Sequence, residues 1–107
     1  MTRLLVQIGG AQLGSVESRG ELAQSVATAR SDGHQVILVH GGGDQIRELT
    51  GRLGIEDRYH EGLRITDADT AEAVLMVLGG QVNRWLVHAL SGAGVRAVGL
   101  TGADGDT

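Results

Sequence analysis

Two blocks of glycine are the part of this sequence best suited to chemistry. Residues 9–10 directly follow the apolar run 4–8, and residues 41–43 directly follow the run 36–40. Because glycine has no Cβ, the backbone N–H groups of such a block can approach a carboxylate or phosphate closely. Where the block also opens a helix, the helix dipole favours the same anion. The blocks predict two anionic groups held near each other; the alternative is tight turns that need glycine for geometry alone.

Arg64 is a second candidate for binding an anion. Arg64 lies between a predicted loop and a predicted helix start, where its guanidinium group can hold a carboxylate through two parallel hydrogen bonds. The alternative for Arg64 is a surface ion pair with Asp67 or Asp69. His40 precedes the triple-glycine block, and we expect it to be a buried, hydrogen-bonded residue rather than a base or a metal ligand.

The composition excludes several classes of function. The chain has 107 residues, no cysteine and a net charge of −4, and its nine basic residues are scattered arginines. A nucleic-acid-binding face needs clustered basic residues, whereas disulfides and thiolate metal sites need cysteine. The histidines show no metal-ligand spacing, so we expect no metal site. No apolar run is long enough to cross a membrane, and we expect one cytoplasmic domain over residues 1–107 without a nucleic-acid or membrane partner.

The order of the elements predicts an α/β fold with a parallel sheet. Residues 4–8, 35–39 and 96–100 have the apolar character of buried strands, and helical patterns connect them. Helices on both faces would make a three-layer αβα sandwich. Ligands bind beyond the carboxyl ends of the strands in such sheets. Both glycine blocks and the turn after residue 100 should therefore line one edge.

Capping and glycine signals predict the bounds of three helices and one hairpin. Serine or threonine before an apolar-periodic segment predicts a helix start, and glycine after it predicts a stop. The predicted bounds are an N-cap at Ser18 with Glu21 completing a capping box and a stop at Gly33; a stop at Gly54; a hairpin over 58–64; and an N-cap at Thr66 followed by a kink or split at Gly79-Gly80.

Five segments resemble the amino-acid kinase family in their order and spacing. Among its members the chain is most similar to the N-acetylglutamate kinase branch, which the G-L-R-x-T-D element separates from aspartate, uridylate and carbamate kinases. The segments are V-Q-I-G-G at 6–10, H-G-G-G at 40–43, G-L-R-I-T-D at 62–67, V-N-R at 82–84 and V-G-L-T-G at 98–102.

The resemblance implies phosphoryl transfer from ATP, with Mg²⁺, to the side-chain carboxylate of N-acetyl-L-glutamate in arginine biosynthesis, by a homodimer or higher homo-oligomer. Carried over by position, Gly42 and Gly43 bind the acyl amino acid through backbone N–H groups. Arg64 holds its α-carboxylate, and Gly9 and Gly10 face the transferred phosphoryl group.

Two departures from the family pattern bear on catalysis. Gln7 stands at the catalytic position where the family has lysine, whose charge stabilises the transferred group. Losing one preorganised donor of this kind typically costs on the order of 10²–10³ in rate. The resemblance also covers only the family's amino-terminal, acyl-amino-acid-binding lobe. The ATP-binding carboxyl-terminal half is absent from these 107 residues, so we expect the isolated chain to be inactive.

Two other functions stay open. A carboxylate site next to an uncharged Gln7 is also what a non-catalytic sensor of acyl amino acids would have. A kinase for a related aminoadipate derivative would share the same motifs, because they do not set the length of the side chain that the pocket accepts.

Overall fold

A computed structural model describes residues 2–56 and 58–107, apart from the side chains of Ala11 and Arg64. Strands and helices alternate along the first half of the chain, and helices dominate the second half. The elements are β1 Arg3–Ile8, α1 Gly10–Leu13, α2 Val16–Ser31, β2 Gln35–His40, α3 Gly43–Leu53, β3 Arg58–His60, β4 Leu63–Ile65, α4 Ala68–Leu75, a π-helix Met76–Val82, α5 Asn83–Gly92 and a short 3₁₀ turn Asp104–Asp106.

Strands β1 and β2 pair in parallel over their whole lengths. The register begins with Arg3 opposite Gln35 and ends with Ile8 opposite His40. Helix α2 connects the two strands and packs against α5 and β2. The predicted parallel pairing is confirmed, and both strands end at the same edge of the sheet.

The core lies between this sheet and one layer of helices. Val6 and Leu38, on one face of the strands, pack against buried helical side chains. On the other face Leu5, Ile37 and Val39 are exposed by 72%, 50% and 48%. The α/β class with parallel strands is therefore confirmed, and the described helices cover one face of the sheet. The buried apolar residues are Ile8, Leu13, Ala23, Val26, Ile46, Ala73, Val77, Val82, Leu86 and Leu90.

The prediction of a third sheet strand over 96–100 is wrong. Residues 95–100 alternate between half-buried and exposed, as a strand would, but they form no ladder with the described strands. A groove of about 910 Å³ runs between this segment and β2. The carbonyl oxygens of Gly99 and Leu100 instead accept hydrogen bonds from the side chains of Arg84 and Asn83. Side-chain donors thus bond two of the carbonyl groups that a neighbouring strand would otherwise bond.

Two predicted helix starts are displaced. Helix α2 begins after Ser15, not after Ser18. The Ser15 hydroxyl accepts a hydrogen bond from the Ser18 N–H at 3.0 Å, and the Ser18 hydroxyl accepts one from the Ser15 N–H. The third helical position of this capping box is therefore Ser18, whereas we expected Glu21 in that role. Helix α4 is capped by Asp67, which accepts the Thr70 N–H at 2.8 Å, rather than by Thr66.

The predicted helix stops and the hairpin are confirmed. Gly33 and Gly54 follow α2 and α3 with φ of 88° and 72°. These left-handed values favour glycine. β3 and β4 pair antiparallel around the turn at 61–62.

The predicted split of the helix at the glycines 79–80 does not occur. The backbone stays helical from α4 to α5 and widens into a π-helix between them. A Cβ at Gly79 would lie 3.2 Å from Thr101 Cγ2, so glycine lets the chain after residue 100 pack closely against the π-helix. Within residues 2–56 and 58–107, no helix combines the length and the apolar character needed to span a bilayer.

Candidate functional site

The two glycine turns lie side by side at one edge of the sheet. Since Ile8 and His40 form the last register pair, Gly9 and Gly41 leave adjacent strands at the same level. A Cβ at Gly10 would lie 3.4 Å from Asp44 Oδ2, so the first turn also reaches the start of α3. The structure brings together the predicted binding glycines of both blocks.

The second turn leaves the first N–H groups of α3 uncapped. Gly42 is the N-cap residue and, having no side chain, makes no capping bond to them. Its carbonyl oxygen accepts the Ile46 N–H at 2.8 Å, which is the first bond of the helix. The first N–H groups of a helix have no partner within it. They and the dipole of this eleven-residue helix can bind a carboxylate or phosphate.

Packing also requires glycine at position 42. Gly42 is buried, and a Cβ there would lie 2.8 Å from Leu78 Cδ2 and 3.2 Å from Val82 Cγ2. Gly43 is less restricted, because the nearest group to its Cβ position is the Arg47 guanidinium at 3.5 Å. The turn therefore packs closely against the π-helix. Glycine at position 42 is required by this packing, and anion binding by the block stays a prediction.

A buried polar side chain stands next to this turn. Gln45 is 8% exposed, and its Oε1 accepts no hydrogen bond from the described residues. The same oxygen lies 3.6 Å from the Cβ position of Gly42. A buried acceptor without a donor is costly in a folded protein, so this oxygen is a weak point in the stability of the turn.

His40 is half-buried and hydrogen-bonded through both ring nitrogens. Its Nδ1 lies 2.9 Å from the Gly41 carbonyl oxygen, and its Nε2 lies 3.2 Å from Asn83 Nδ2. The expectation of a hydrogen-bonded His40 is confirmed. Asn83 was not among the predicted site residues. Its signal in the sequence is a polar residue on a helix between two core positions, Val82 and Leu86.

Asn83 and Arg84 attach the segment after α5 to the same place. Asn83 Nδ2 lies 3.4 Å from the Leu100 carbonyl oxygen, and Arg84 Nη2 lies 3.1 Å from the Gly99 carbonyl oxygen. A Cβ at Gly99 would collide with both side chains and would lie 2.9 Å from Val87 Cγ2. Glycine at this position lets the segment approach α5.

The model of the amino acid kinase family matches residues 2–107 of the chain. The chain belongs to the amino acid kinase family. The acetylglutamate kinase of Solibacter usitatus (strain Ellin6076) is 52% identical over 103 residues, which are 95% of this chain and 40% of that protein. The acetylglutamate kinase of Acidobacterium capsulatum is 48% identical over 103 residues, 96% of this chain and 40% of that protein. The chain thus spans about two fifths of the length of these relatives.

Solved structures have the same fold. The smu.665 protein from Streptococcus mutans UA159 superimposes with a TM-score of 0.76 at 28% identity, over 88% of this chain and 37% of that protein. N-acetylglutamate synthase from Neisseria gonorrhoeae, solved with coenzyme A and N-acetyl-glutamate, gives a TM-score of 0.73 at 26% identity, over 91% of this chain and 22% of that protein. The predicted amino-acid kinase resemblance is confirmed.

The lysine position of the amino-acid kinase motif is occupied by Gln7 near the end of β1. Gln7 is exposed and lies opposite Val39 in the register, on the sheet face away from the core. An amide at this position can donate a hydrogen bond but carries no charge.

The family's arginine position lies on the hairpin. Arg64 is in β4 with its backbone opposite Tyr59, and its side chain lies outside the described part of the chain. The hairpin is joined to α3 by Arg47 Nη1, 3.4 Å from the Tyr59 hydroxyl, and to α4 by Arg58, 3.0 Å from Asp67. Asp67, one of the two alternative partners considered for Arg64, is therefore engaged by Arg58.

Two carboxylates, those of Asp67 and Asp104, have hydrogen bonds that favour their charged forms. Bonds from Thr70, and then the Arg58 guanidinium, hold the pKa of the Asp67 carboxyl below its ordinary value. Bonds from Thr101, including its backbone N–H at 2.7 Å, lower the pKa of Asp104. Asp104 therefore closes the turn after residue 100.

Proposed function

We propose that this chain forms the acyl-amino-acid-binding lobe of a kinase that transfers the γ-phosphoryl group of ATP to the side-chain carboxylate of N-acetyl-L-glutamate. The observation that carries the proposal is the pair of adjacent glycine turns, one of which opens the uncapped helix α3. Support for the substrate comes from relatives named acetylglutamate kinase and from a related fold solved with N-acetyl-glutamate.

In this proposal each glycine turn faces a different negatively charged group of the reaction. The N–H groups of Gly42 and Gly43, with the dipole of α3, hold the acyl amino acid. Those of Gly9 and Gly10 face the phosphoryl group as it moves. Arg64, carried by the hairpin, holds the α-carboxylate. The proposed substrate thus spans three elements.

The proposed reaction is a single displacement at phosphorus. A side-chain carboxylate oxygen forms a bond to the γ-phosphorus, the bond from that phosphorus to the β–γ bridging oxygen breaks, and ADP leaves with its electron pair. The product is an acyl phosphate. Such transfers depend on positioning and on stabilising negative charge, and backbone N–H donors of the glycine turns can do both without moving.

Magnesium is assigned no step on these residues. Among residues 2–56 and 58–107, no three histidine or acidic side chains lie close enough together to hold a metal ion. In the proposal Mg²⁺ arrives with the nucleotide and neutralises its phosphates. The lobe itself binds and orients the carboxylate substrate.

Gln7 supports a second candidate function, a non-catalytic protein that binds acyl amino acids. Its amide leaves the phosphoryl side of the edge without the family's positive charge, while the glycine turns are intact. In the complete kinase of the first proposal, Gln7→Lys raises kcat by about 10²-fold. An unchanged kcat in that variant would argue against this role for position 7.

Isothermal titration of this chain with N-acetyl-L-glutamate tests the binding that both candidates share. We expect saturable binding, about tenfold weaker for N-acetyl-L-glutamine because the charge-assisted hydrogen bonds to its side chain are lost. Arg64→Leu should weaken binding by a similar factor. The matched control Arg52→Leu, at the exposed end of α3, should not. Absence of heat with N-acetyl-L-glutamate at millimolar concentration would exclude both candidates.

A further inference from the structure

We propose that His40 and Asn83 form a positioning pair that fixes the direction of the Gly42 N–H group. That N–H is one of the donors to which the proposed function assigns the substrate, so its role as a ligand donor rests on the proposed function. The geometry of the pair does not. It connects the end of β2 with the start of α5, two elements that are far apart in the sequence.

Asn83 is the anchor of the pair. It is 8% exposed, and its Oδ1 accepts a hydrogen bond from the Arg84 guanidinium, a group that only donates. The Nδ2 amide therefore faces His40 Nε2 at 3.2 Å and the Leu100 carbonyl oxygen at 3.4 Å. With its oxygen and both amide hydrogens engaged, the side chain cannot turn over without losing these partners.

This anchor selects one tautomer of His40. Asn83 Nδ2 only donates, so His40 Nε2 accepts and carries no proton. In a neutral imidazole the proton then lies on Nδ1. That nitrogen is 2.9 Å from the Gly41 carbonyl oxygen and donates to it. Asn83 thus decides which nitrogen of His40 is available to Gly41.

The bond to Gly41 also orients the following N–H group. The peptide between Gly41 and Gly42 is planar and trans, so its C=O and N–H bonds point in opposite directions. With the carbonyl directed at the His40 ring, the Gly42 N–H is directed away from it. His40 and Asn83 therefore act through the backbone, and neither has to contact the ligand.

A triple-glycine turn needs such a restraint. Glycine loses more conformational freedom on ordering than any other residue, and α3 has no side-chain cap to hold its first turn. Contact with Leu78 and Val82 restricts Gly42 from the π-helix side. A side-chain bond to Gly41 supplies the restraint on the residue before it, where no atom of the described residues beyond its two chain neighbours lies within 4 Å of the Cβ position.

The test uses substitutions of His40 that each keep one of its two bonds. His40→Asn places an amide near the position of Nδ1 and keeps a donor for Gly41. His40→Gln places an amide near Nε2 and keeps a partner for Asn83 only. His88→Gln, at an exposed position on α5, is the control. Two-dimensional ¹H–¹⁵N spectra report the protonation of each His40 nitrogen and the Gly42 amide resonance.

We expect the unsubstituted chain to carry the His40 proton on Nδ1. Asn83→Asp, which replaces the donor by an acceptor, should place a proton on Nε2. The Gly42 resonance should move more in His40→Gln than in His40→Asn and should stay in place in His88→Gln. A proton on Nε2 of the unsubstituted chain, or equal movement in the two His40 variants, overturns the proposal. The position of the His40 proton is measured on the unsubstituted chain, so this test does not require any variant to fold.

Titration with N-acetyl-L-glutamate separates this inference from the proposed function. We expect about fivefold weaker binding in His40→Gln, the factor that one net hydrogen bond is worth, and rescue of that loss in His40→Asn. If the unsubstituted chain does not bind N-acetyl-L-glutamate, the proposed function fails. The His40 tautomer and the Gly42 resonance then still decide whether the positioning pair exists.

Discussion

Ile8 and His40 lie opposite each other as the last pair of the parallel strands β1 and β2. This pairing makes one site out of two glycine blocks that are more than thirty residues apart in the sequence. A shift of one residue would turn every side chain of a strand to the other face of the sheet. The apolar residues that bury one face therefore also set the level at which the two turns meet.

Gly42→Ala should destabilise the fold and weaken ligand binding. The added methyl group would meet Leu78 and the fully buried Val82. Forcing one extra carbon into such packing costs about 1 to 3 kcal/mol. Gly41→Ala is the matched control because no atom of the described residues beyond its two chain neighbours lies within 4 Å of its Cβ position, and its cost should stay within about 0.5 kcal/mol. Urea denaturation of both variants measures the difference, and equal costs would show that Gly42 is not packed against the π-helix.

Gln45→Glu should lower stability although it adds a negative charge near the start of α3. The helix dipole favours such a charge by about 0.3 to 1 kcal/mol. Burying a carboxylate where the existing oxygen already lacks a donor costs at least about 2 kcal/mol. The burial cost is larger and decides the sign. Gln24→Glu, the same change on the exposed face of α2, should be nearly neutral. A thermal melt in which Gln45→Glu is as stable as Gln24→Glu would contradict the buried position of Gln45.

Asp67→Asn should reduce stability in a pH-dependent way. Hydrogen bonds from Thr70 and the pairing with Arg58 lower the pKa of the Asp67 carboxyl below its ordinary value of 3.8. A carboxyl with a lowered pKa stabilises the fold fully above its ordinary pKa, and this contribution is lost as pH falls through the lowered value. The difference in Tm between the original chain and Asp67→Asn should therefore be largest above pH 3.8 and should shrink as the pH is lowered further into the acid range.

The control for this prediction is Asp69→Asn, which removes a carboxylate from the same turn of α4 but not from its cap. The Tm of Asp69→Asn should change with pH in the same way as the Tm of the original chain across the acid range. If Asp67→Asn also gives a Tm difference that does not change with pH, the cap does not depend on the charge of Asp67.

Ser15→Ala should destabilise α2 by about 1 kcal/mol, the typical cost of losing an N-cap hydroxyl. Ser15 and Ser18 hold each other's backbone N–H groups at the helix start. Ser25→Ala, within the same helix and away from its ends, is the control. Urea denaturation should separate the two variants. Equal midpoints would place the start of the helix elsewhere, as the sequence alone had predicted.

The apolar runs and the positions of the glycines were sufficient to predict that the two glycine turns lie at the same edge of the sheet. The apolar runs before residues 9 and 41 predicted parallel strands, and parallel strands end together. Glycine after a periodic segment also marked the ends of α2 and α3 correctly. These features depend on local backbone chemistry, which a sequence carries directly.

The features that the sequence did not predict depend mostly on contacts between residues that are distant in the sequence. The bond between His40 and Asn83 joins positions 43 residues apart, and no local pattern indicates it. Residues 96–100 have the alternation of a strand, but pairing needs a neighbouring strand. The carbonyl oxygens of Gly99 and Leu100 bond to side chains of α5 instead. The capping box of α2 was misplaced because serine replaced the glutamate that the pattern favours.

Residue-resolved titration with N-acetyl-L-glutamate tests the central claim, that the two adjacent glycine turns form one site, in which Gly42 and Gly43 bind the substrate and Gly9 and Gly10 lie beside its reacting carboxylate. In ¹H–¹⁵N spectra of this chain, the amides of Gly9, Gly10, Gly42 and Gly43 should shift together along one saturable curve. Gly54, at the far end of α3, is the internal control and should stay in place. Saturable shifts confined to residues away from both turns, or none at any of the four glycines, would contradict the account.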